Sequence, residues 1–189
     1  MYSIGTQELR LVKRLQDGEK GAAREFYSLY ADYLAGVCSR YIVDEDDQKD
    51  VFQDALVHIL SHIGDFQYRG AGSLPAWATR VVVNQSLKFL RSNQRHEFAP
   101  LCDDIADEPE TDDPPISDVP PDAIHQMVSR LPTGYRTVFN LYVFEDHSHK
   151  EIAHLLGISE RTSASQLHRA KNLLAKMIQQ YHNDKSPRR

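Results

Sequence analysis

Apolar residues recur at three- and four-residue spacing through most of the chain, and glycines and prolines punctuate the runs. That period belongs to amphipathic helices. It predicts a first helix over residues 7–17, stopped by Gly18, and a second over 19–42. The second carries Phe26, Leu29, Tyr30, Tyr33, Leu34, Val37 and Tyr41 as one inward stripe. A third helix starts at Asp44–Asp47 and runs to Gly64, with Val51, Phe52, Ala55, Leu56, Ile59, Leu60 and Ile63 inward. A glycine-rich turn (Arg69-Gly-Ala-Gly) follows. Ser73 then stands where it can cap a fourth helix reaching Gln94, with Pro75 in the first turn, where a missing N–H costs little. Further on, helices are predicted at 122–130, 135–145, 149–156 and 160–181. No segment alternates well enough to be a strand, so the expected fold class is all-α.

The helical pattern lapses at residues 99–122, which are rich in proline and acid and poor in aromatics. Five prolines fall between Pro109 and Pro121. Such a segment buries too little apolar area to offset its ordering entropy, and a loop this long is unusual inside one domain. It reads as an extended linker between two small helical domains, with boundaries at 1–96, 97–122 and 123–189.

The chain has 189 residues and a net charge of −5, which is unpromising for a nucleic-acid binder. The distribution changes that picture. Residues 97–122 hold ten acids and no Lys or Arg, while residues 123–189 hold ten basic against five acidic groups. The acidity belongs to the linker, and the last part is basic, as phosphate contact requires. Cys38 and Cys102 lie far apart with no CxxC spacing, which fits a reducing compartment and offers no cysteine metal site. The N-terminus has no apolar signal core, and no stretch approaches the roughly 20 apolar residues of a membrane span. A cytoplasmic protein without membrane insertion is expected.

The sharpest local signal is residues 148–174. Ser148 and Glu151 have capping-box spacing, Ile152, Ala153 and Leu156 face inward, and Ala153 is small where two helices cross. Gly157 suits a left-handed turn, Ile158 plugs it, and Ser159 caps the next helix. Thr162, Leu167, Ala170 and Leu174 continue the buried side. Arg161, Ser165, Gln166, His168, Arg169 and Lys171 are assigned to the exposed side. This is a helix-turn-helix, whose second helix enters the major groove. Gln166 suits adenine, Arg161 or Arg169 suits guanine or phosphate, and Lys171 and Lys176 suit phosphates. The competing reading is a plain helical hairpin with a solvated basic face, and His168 fits either.

Residues 50–66 (DVFQDALVHILSHIGDF) and 72–91 (GSLPAWATRVVVNQSLKFLR) resemble the second conserved region of extracytoplasmic-function sigma factors of bacterial RNA polymerase. Residues 131–174 resemble their fourth region, and residues 8–30 resemble their usual opening. The resemblance implies a promoter-specificity subunit with no catalysis, no cofactor and no metal of its own. Its implied partners are core polymerase, through the largest-subunit clamp and the flap, promoter DNA, and an anti-sigma factor.

The resemblance also implies residue roles. Asp50, Gln53 and Asp54, at i, i+3 and i+4, match the surface that docks on the clamp coiled coil; a solvated acidic face is the plainer alternative. Asn84 matches the asparagine that captures an unstacked minus-ten base, although a helical asparagine also serves structure. Its amide offers the donor and acceptor that a Watson–Crick edge needs. Arg80, Lys88, Arg91 and Arg95 suit phosphates of a separated strand. Tyr68 and the glycine-rich turn are candidates for the base pocket, and Trp77 either packs in the core or stacks on a base. The acidic linker is expected to thread polymerase toward the RNA exit path. Two departures stand out: the turn between Phe66 and Ser73 is longer than in some relatives, and Ala164 replaces an arginine that relatives can carry.

Two other classes compete. A dimeric regulator would bind duplex DNA tightly on its own. An enzyme is disfavoured: His147, His149 and His154 lack metal-site spacing, and there is no HExxH, Cys/His cluster or phosphate loop.

Overall fold

A computed structural model describes residues 4–93 and 119–185. Most of the expected linker, and Arg95 with it, lies outside the described residues. The chain divides into two compact units, residues 1–90 and 91–189. Among the described residues there are eight α-helices and no strands, as the hydrophobic period predicts.

In the first unit α1 (Ile4–Gln16) turns into α2 (Ala22–Tyr41) through Gly18 and Gly21, with φ of 67° and 91°. Gly21 sits at the N-cap in a left-handed conformation, so α2 starts three residues later than its apolar pattern suggests. Asp44 caps α3 (Glu45–His62): its Oδ1 accepts from the N–H groups of Asp46 and Asp47, both at 3.0 Å. Glu45, Asp46 and Asp47 add negative charge where the helix dipole favours it. A short 3-10 turn (Ile63–Asp65) ends α3, and α4 (Ser73–Asn93) follows the glycine-rich segment. Phe26, Leu34, Tyr41, Ala55, Ile59, Leu74, Ala78 and Val82 are fully buried and fill the core.

The inward stripe of α2 is narrower than its sequence suggests. Leu29 is 60% exposed and Tyr33 55% exposed, and on α3 Leu60 is 39% exposed. Burial on α2 centres on Leu34, Val37, Cys38 and Tyr41. At 100° per residue, Leu29 lies about a third of a turn from that centre, beyond reach of the neighbouring helices.

In the second unit α5 (Pro121–Ser129) opens with proline at its first position, and α6 (Thr133–Val143) starts just after Pro132. Buried Arg136 on α6 donates from Nη1 to the carbonyls of Leu131 at 2.8 Å and Ser129 at 3.3 Å. A cation thereby meets the carbonyl-rich end of α5. Then come α7 (His149–Leu156) and α8 (Glu160–Lys185). Val119, Met127, Val128, Leu131 and Tyr135 close on Ala170, Leu174 and Ile178 of α8 to form the core.

These assignments make a paired test. Leu34→Ala, which empties a fully buried site, should cost about 2 to 5 kcal/mol. Leu29→Ala should stay within about 0.5 kcal/mol. Urea unfolding of the full chain, followed by the fluorescence of its one tryptophan, Trp77, reads both. Equal costs would refute the assigned register of α2.

Candidate nucleic-acid interface

Three surfaces carry the candidate residues. The first is the helix-turn-helix. Ser148 Oγ accepts from Glu151 N–H at 3.3 Å, and Glu151 Oε2 accepts from Ser148 N–H at 2.8 Å, so the capping box is closed. Hydrogen bonds from the Ser148 hydroxyl and then its N–H hold the Glu151 carboxyl below its ordinary range. Gly157, at φ 69° and ψ 33°, makes the left-handed turn, and its N–H reaches the carbonyl of Ala153. Ser159 Oγ then accepts from Thr162 N–H at 2.9 Å, capping α8. Ile152, Ala153 and Leu156 are buried, as are Leu167, Ala170 and Leu174.

One detail of α8 corrects the sequence expectation. Gln166 is only 4% exposed, and its buried Oε1 has no hydrogen-bond partner. It lies on the inner stripe with Ser163, Leu167, Ala170 and Leu174, all buried at i−3, i+1, i+4 and i+8 from it. Thr162 is half-buried, and fully buried Ser163 takes the inward place, its hydroxyl 3.0 Å from His149 Nδ1. The His149 ring also stacks on Tyr142 at 4.9 Å, so this histidine belongs to the packing between helices. The outer face therefore presents Arg161, Ala164, Ser165 and Lys171 as exposed residues, with His168 and Arg169 half-buried beside them. His168 Nε2 lies 3.1 Å from Asn172 Nδ2. The spacing 161, 164, 165, 168 marks Ala164 as outward, although the residue type carries no polar signal.

The second surface is on α4. A cleft of about 450 Å³ is lined by Asp65, Phe66, Gln67, Arg69, Ser73, Ala76, Trp77 and Arg80. Trp77 is half-buried, with its ring 5.1 Å from that of Phe66, so it packs on the core edge and walls the cleft at once. From Arg80 an exposed stripe continues along α4 through Asn84, Lys88 and Arg91, at i, i+4, i+8 and i+11. It spans about 16 Å at 1.5 Å per residue. Tyr68 does not line the cleft; it is half-buried, and its hydroxyl donates to the Gly5 carbonyl at 2.8 Å. Desolvation, followed by the nearby Glu8 charge, pushes its phenol pKa up. The sequence missed Asp65, Gln67 and Ala76 as wall residues. The flanking Phe66 and Trp77 were the available signal.

Ser73 also has a different job from the cap expected of it. Its Oγ accepts from Arg69 N–H at 3.2 Å, within the turn. The N–H groups of Gly72 and Leu74 go to Glu8.

The third surface is on α3, where Asp50, Gln53 and Asp54 are all exposed in one row. Val57 extends it at i+3 from Asp54 and is 64% exposed, an apolar residue that period alone left unassigned. Among the described residues, no helix is long and apolar enough to cross a membrane.

The Sigma-70 region 2 family matches residues 26–96, and the Sigma-70, region 4 family matches residues 122–174. The ECF RNA polymerase sigma factor SigM of Mycobacterium tuberculosis is 32% identical over 147 residues, 77% of this chain and 69% of that protein. The RNA polymerase sigma-H factor of Pseudomonas aeruginosa is 27% identical over 92% of this chain and 94% of its own length. The ECF RNA polymerase sigma-E factor of Haemophilus influenzae is 27% identical over 89% of this chain and 94% of its own. A solved structure of CnrH in complex with the cytosolic domain of CnrY covers 89% of this chain and 95% of that one, at 20% identity and a TM-score of 0.48. With both regions matched in order, and a relative sharing about a third of its residues over more than two thirds of each chain, this protein belongs to the extracytoplasmic-function family of RNA polymerase sigma factors.

Proposed function

We propose that this sigma factor reads its promoter as two separate elements and helps melt the downstream one. α8 lies in the major groove of the minus-thirty-five duplex. The cleft at the start of α4 takes an unstacked base from the minus-ten element, and the stripe that follows holds the separated strand. The observation that carries this reading is the cleft walled by Phe66, Trp77 and Arg80, continuous with exposed Asn84, Lys88 and Arg91. A flipped base needs an aromatic wall, a polar edge reader and cations for its phosphates, and this arrangement offers all three. On the outer face of α8, Arg161 and Lys171 suit phosphates, while Ser165 and His168 are nearest the bases.

Polymerase supplies the chemistry; sigma supplies position. The acidic row Asp50, Gln53 and Asp54 with exposed Val57 suits docking on a basic clamp helix, steered by charge and finished by apolar contact. The second unit reaches the flap. An anti-sigma factor that masks these surfaces is the expected regulator, acting in the cytoplasm with polymerase. The acidic linker, with ten acids and no basic residue between 97 and 122, mimics nucleic acid in a basic channel and is displaced by growing RNA. On this reading the free protein binds promoter weakly until core polymerase joins it. A dimeric regulator would bind tightly alone, and band-shift titration with and without core separates the two.

Asn84→Ala should leave core binding unchanged and slow promoter opening about 5- to 150-fold, the worth of one bidentate base contact. Permanganate footprinting of the holoenzyme on duplex promoter measures it, and normal opening would remove the role of Asn84. In the upstream element, Lys171→Ala should lower the slope of log affinity against log salt by about 0.9. Gln166→Leu should leave base preference there unchanged, because that side chain is turned inward. A changed base preference in Gln166→Leu would show that α8 rotates on DNA.

A further inference from the structure

The cleft has one wall on a helix and one on a segment without regular structure, residues 66–72. That segment contains Gly70 and Gly72 in left-handed conformations, φ 122° and 85°, and glycine leaves a free chain loose. A pocket that reads a base edge tolerates little looseness, since recognition depends on groups held within a fraction of an ångström. What holds the segment is α1, which the reading above leaves without a task.

Four backbone groups in or beside the segment, and the side-chain hydroxyl of Tyr68, bond to α1 at three places. Gln16 Nε2 donates to the carbonyls of Ile63 at 3.1 Å and Phe66 at 2.9 Å, fixing the entry. Tyr68 Oη donates to the Gly5 carbonyl at 2.8 Å, fixing the middle. Glu8 is 6% exposed, and its two carboxylate oxygens accept from Gly72 N–H at 2.6 Å and Leu74 N–H at 2.8 Å, fixing the exit. The last pair also places a negative charge at the start of α4, where the dipole favours it. Gly5 permits the close approach: a Cβ there would meet Tyr68 Oη at 3.3 Å and the Ala71 Cβ at 3.4 Å.

These anchors alternate with the cleft wall. Phe66 and Gln67 line the cleft next to the Gln16 anchor; Arg69 lines it immediately after Tyr68; Ser73 lines it between the two N–H groups held by Glu8. Neighbouring side chains along an extended chain point opposite ways. With Tyr68 tied toward α1, Gln67 and Arg69 are turned toward the cleft.

We propose that α1 sets the shape of the base-reading pocket, with Glu8, Gln16 and Tyr68 as positioning residues that never touch DNA. This rests on the base-capture reading of the cleft. It reassigns Tyr68 from DNA contact to tether, and it makes the base selectivity of the second region depend on residues outside the stretch 72–91.

The test uses the full chain assembled with core polymerase on forked promoter DNA, in which the non-template minus-ten strand is single-stranded. Each fork carries either its natural base or an abasic site, moved along the element. The ratio of affinities with and without the base measures capture, and core binding is titrated separately. Wild type should show a clear ratio at one position, which Asn84→Ala should abolish. Glu8→Gln keeps size but replaces one acceptor with a donor facing an N–H. It should reduce the ratio about tenfold or more, the order expected from a broken charge-assisted hydrogen bond. Core affinity should change less than about twofold, since the row on α3 is untouched. Tyr68→Phe, which removes one hydroxyl, should reduce the ratio about two- to threefold and serves if Glu8→Gln does not fold. An undiminished ratio in both variants, or a loss matched by equal loss of core affinity, would overturn the proposal while leaving base capture intact. If wild type shows no ratio at any position, base capture itself fails and the positioning role falls with it.

Discussion

A chain that leaves a helix must find partners for backbone groups that the helix no longer satisfies, and this demand organises the molecule. Every connection in the described residues meets it with a specific side chain or a left-handed residue. Asp44 does so for α3, the Ser148–Glu151 box for α7, Ser159 for α8, and Arg136 for the end of α5. The long connection between α3 and α4 makes the greatest demand and draws on a distant helix through Gln16, Tyr68 and Glu8. The surfaces proposed to meet DNA lie where these solutions are made: one follows the turn that leads into α8, another is the wall of the cleft.

That demand also explains what the sequence made legible. Caps formed by residues two or three positions apart were readable, because local spacing decides them. The Glu8 cap was not, because 66 residues separate it from Leu74. Ser73 has the right identity and place for an N-cap, and only the presence of a stronger acceptor diverts it into the turn. Helix existence and order followed from period, while the facing of individual positions did not always. On α8, Gln166 reads as outward because it is polar, while helix geometry sets it on the inner stripe, and Ser163 rather than Thr162 takes the inward place before it. On α2, Leu29 is apolar but has no neighbouring helix to cover it. Family resemblance supplied roles for Asp50, Gln53, Asp54 and Asn84 that physical pattern alone would leave as an acidic face and a helical amide.

The two units differ in how polar their interiors are. In the second unit Arg136, Thr137, Asn140, Ser163 and Gln166 are all buried, and they come from α6 and α8, which pack together. An apolar interface tolerates sliding and repacking, whereas buried polar groups favour one arrangement where they are hydrogen-bonded, as Arg136 and Ser163 are, and cost energy where they are not, as at Thr137 Oγ1 and Gln166 Oε1. Among the described residues the first unit buries few polar groups, and Glu8, with its backbone contacts, is the charged one.

The length of α8 has a mechanical meaning. Its 26 residues make a rod of about 39 Å. Its first three turns carry the outward groups from Arg161 to Lys171, while Ala170, Leu174 and Ile178 form the keel on which α5 and α6 close. Probe and foundation are one rigid body. If α8 lies in a groove as proposed, a groove that tilts its leading end loads the core at the trailing end, and a poor promoter match is then felt as strain in the fold as well as in missing contacts.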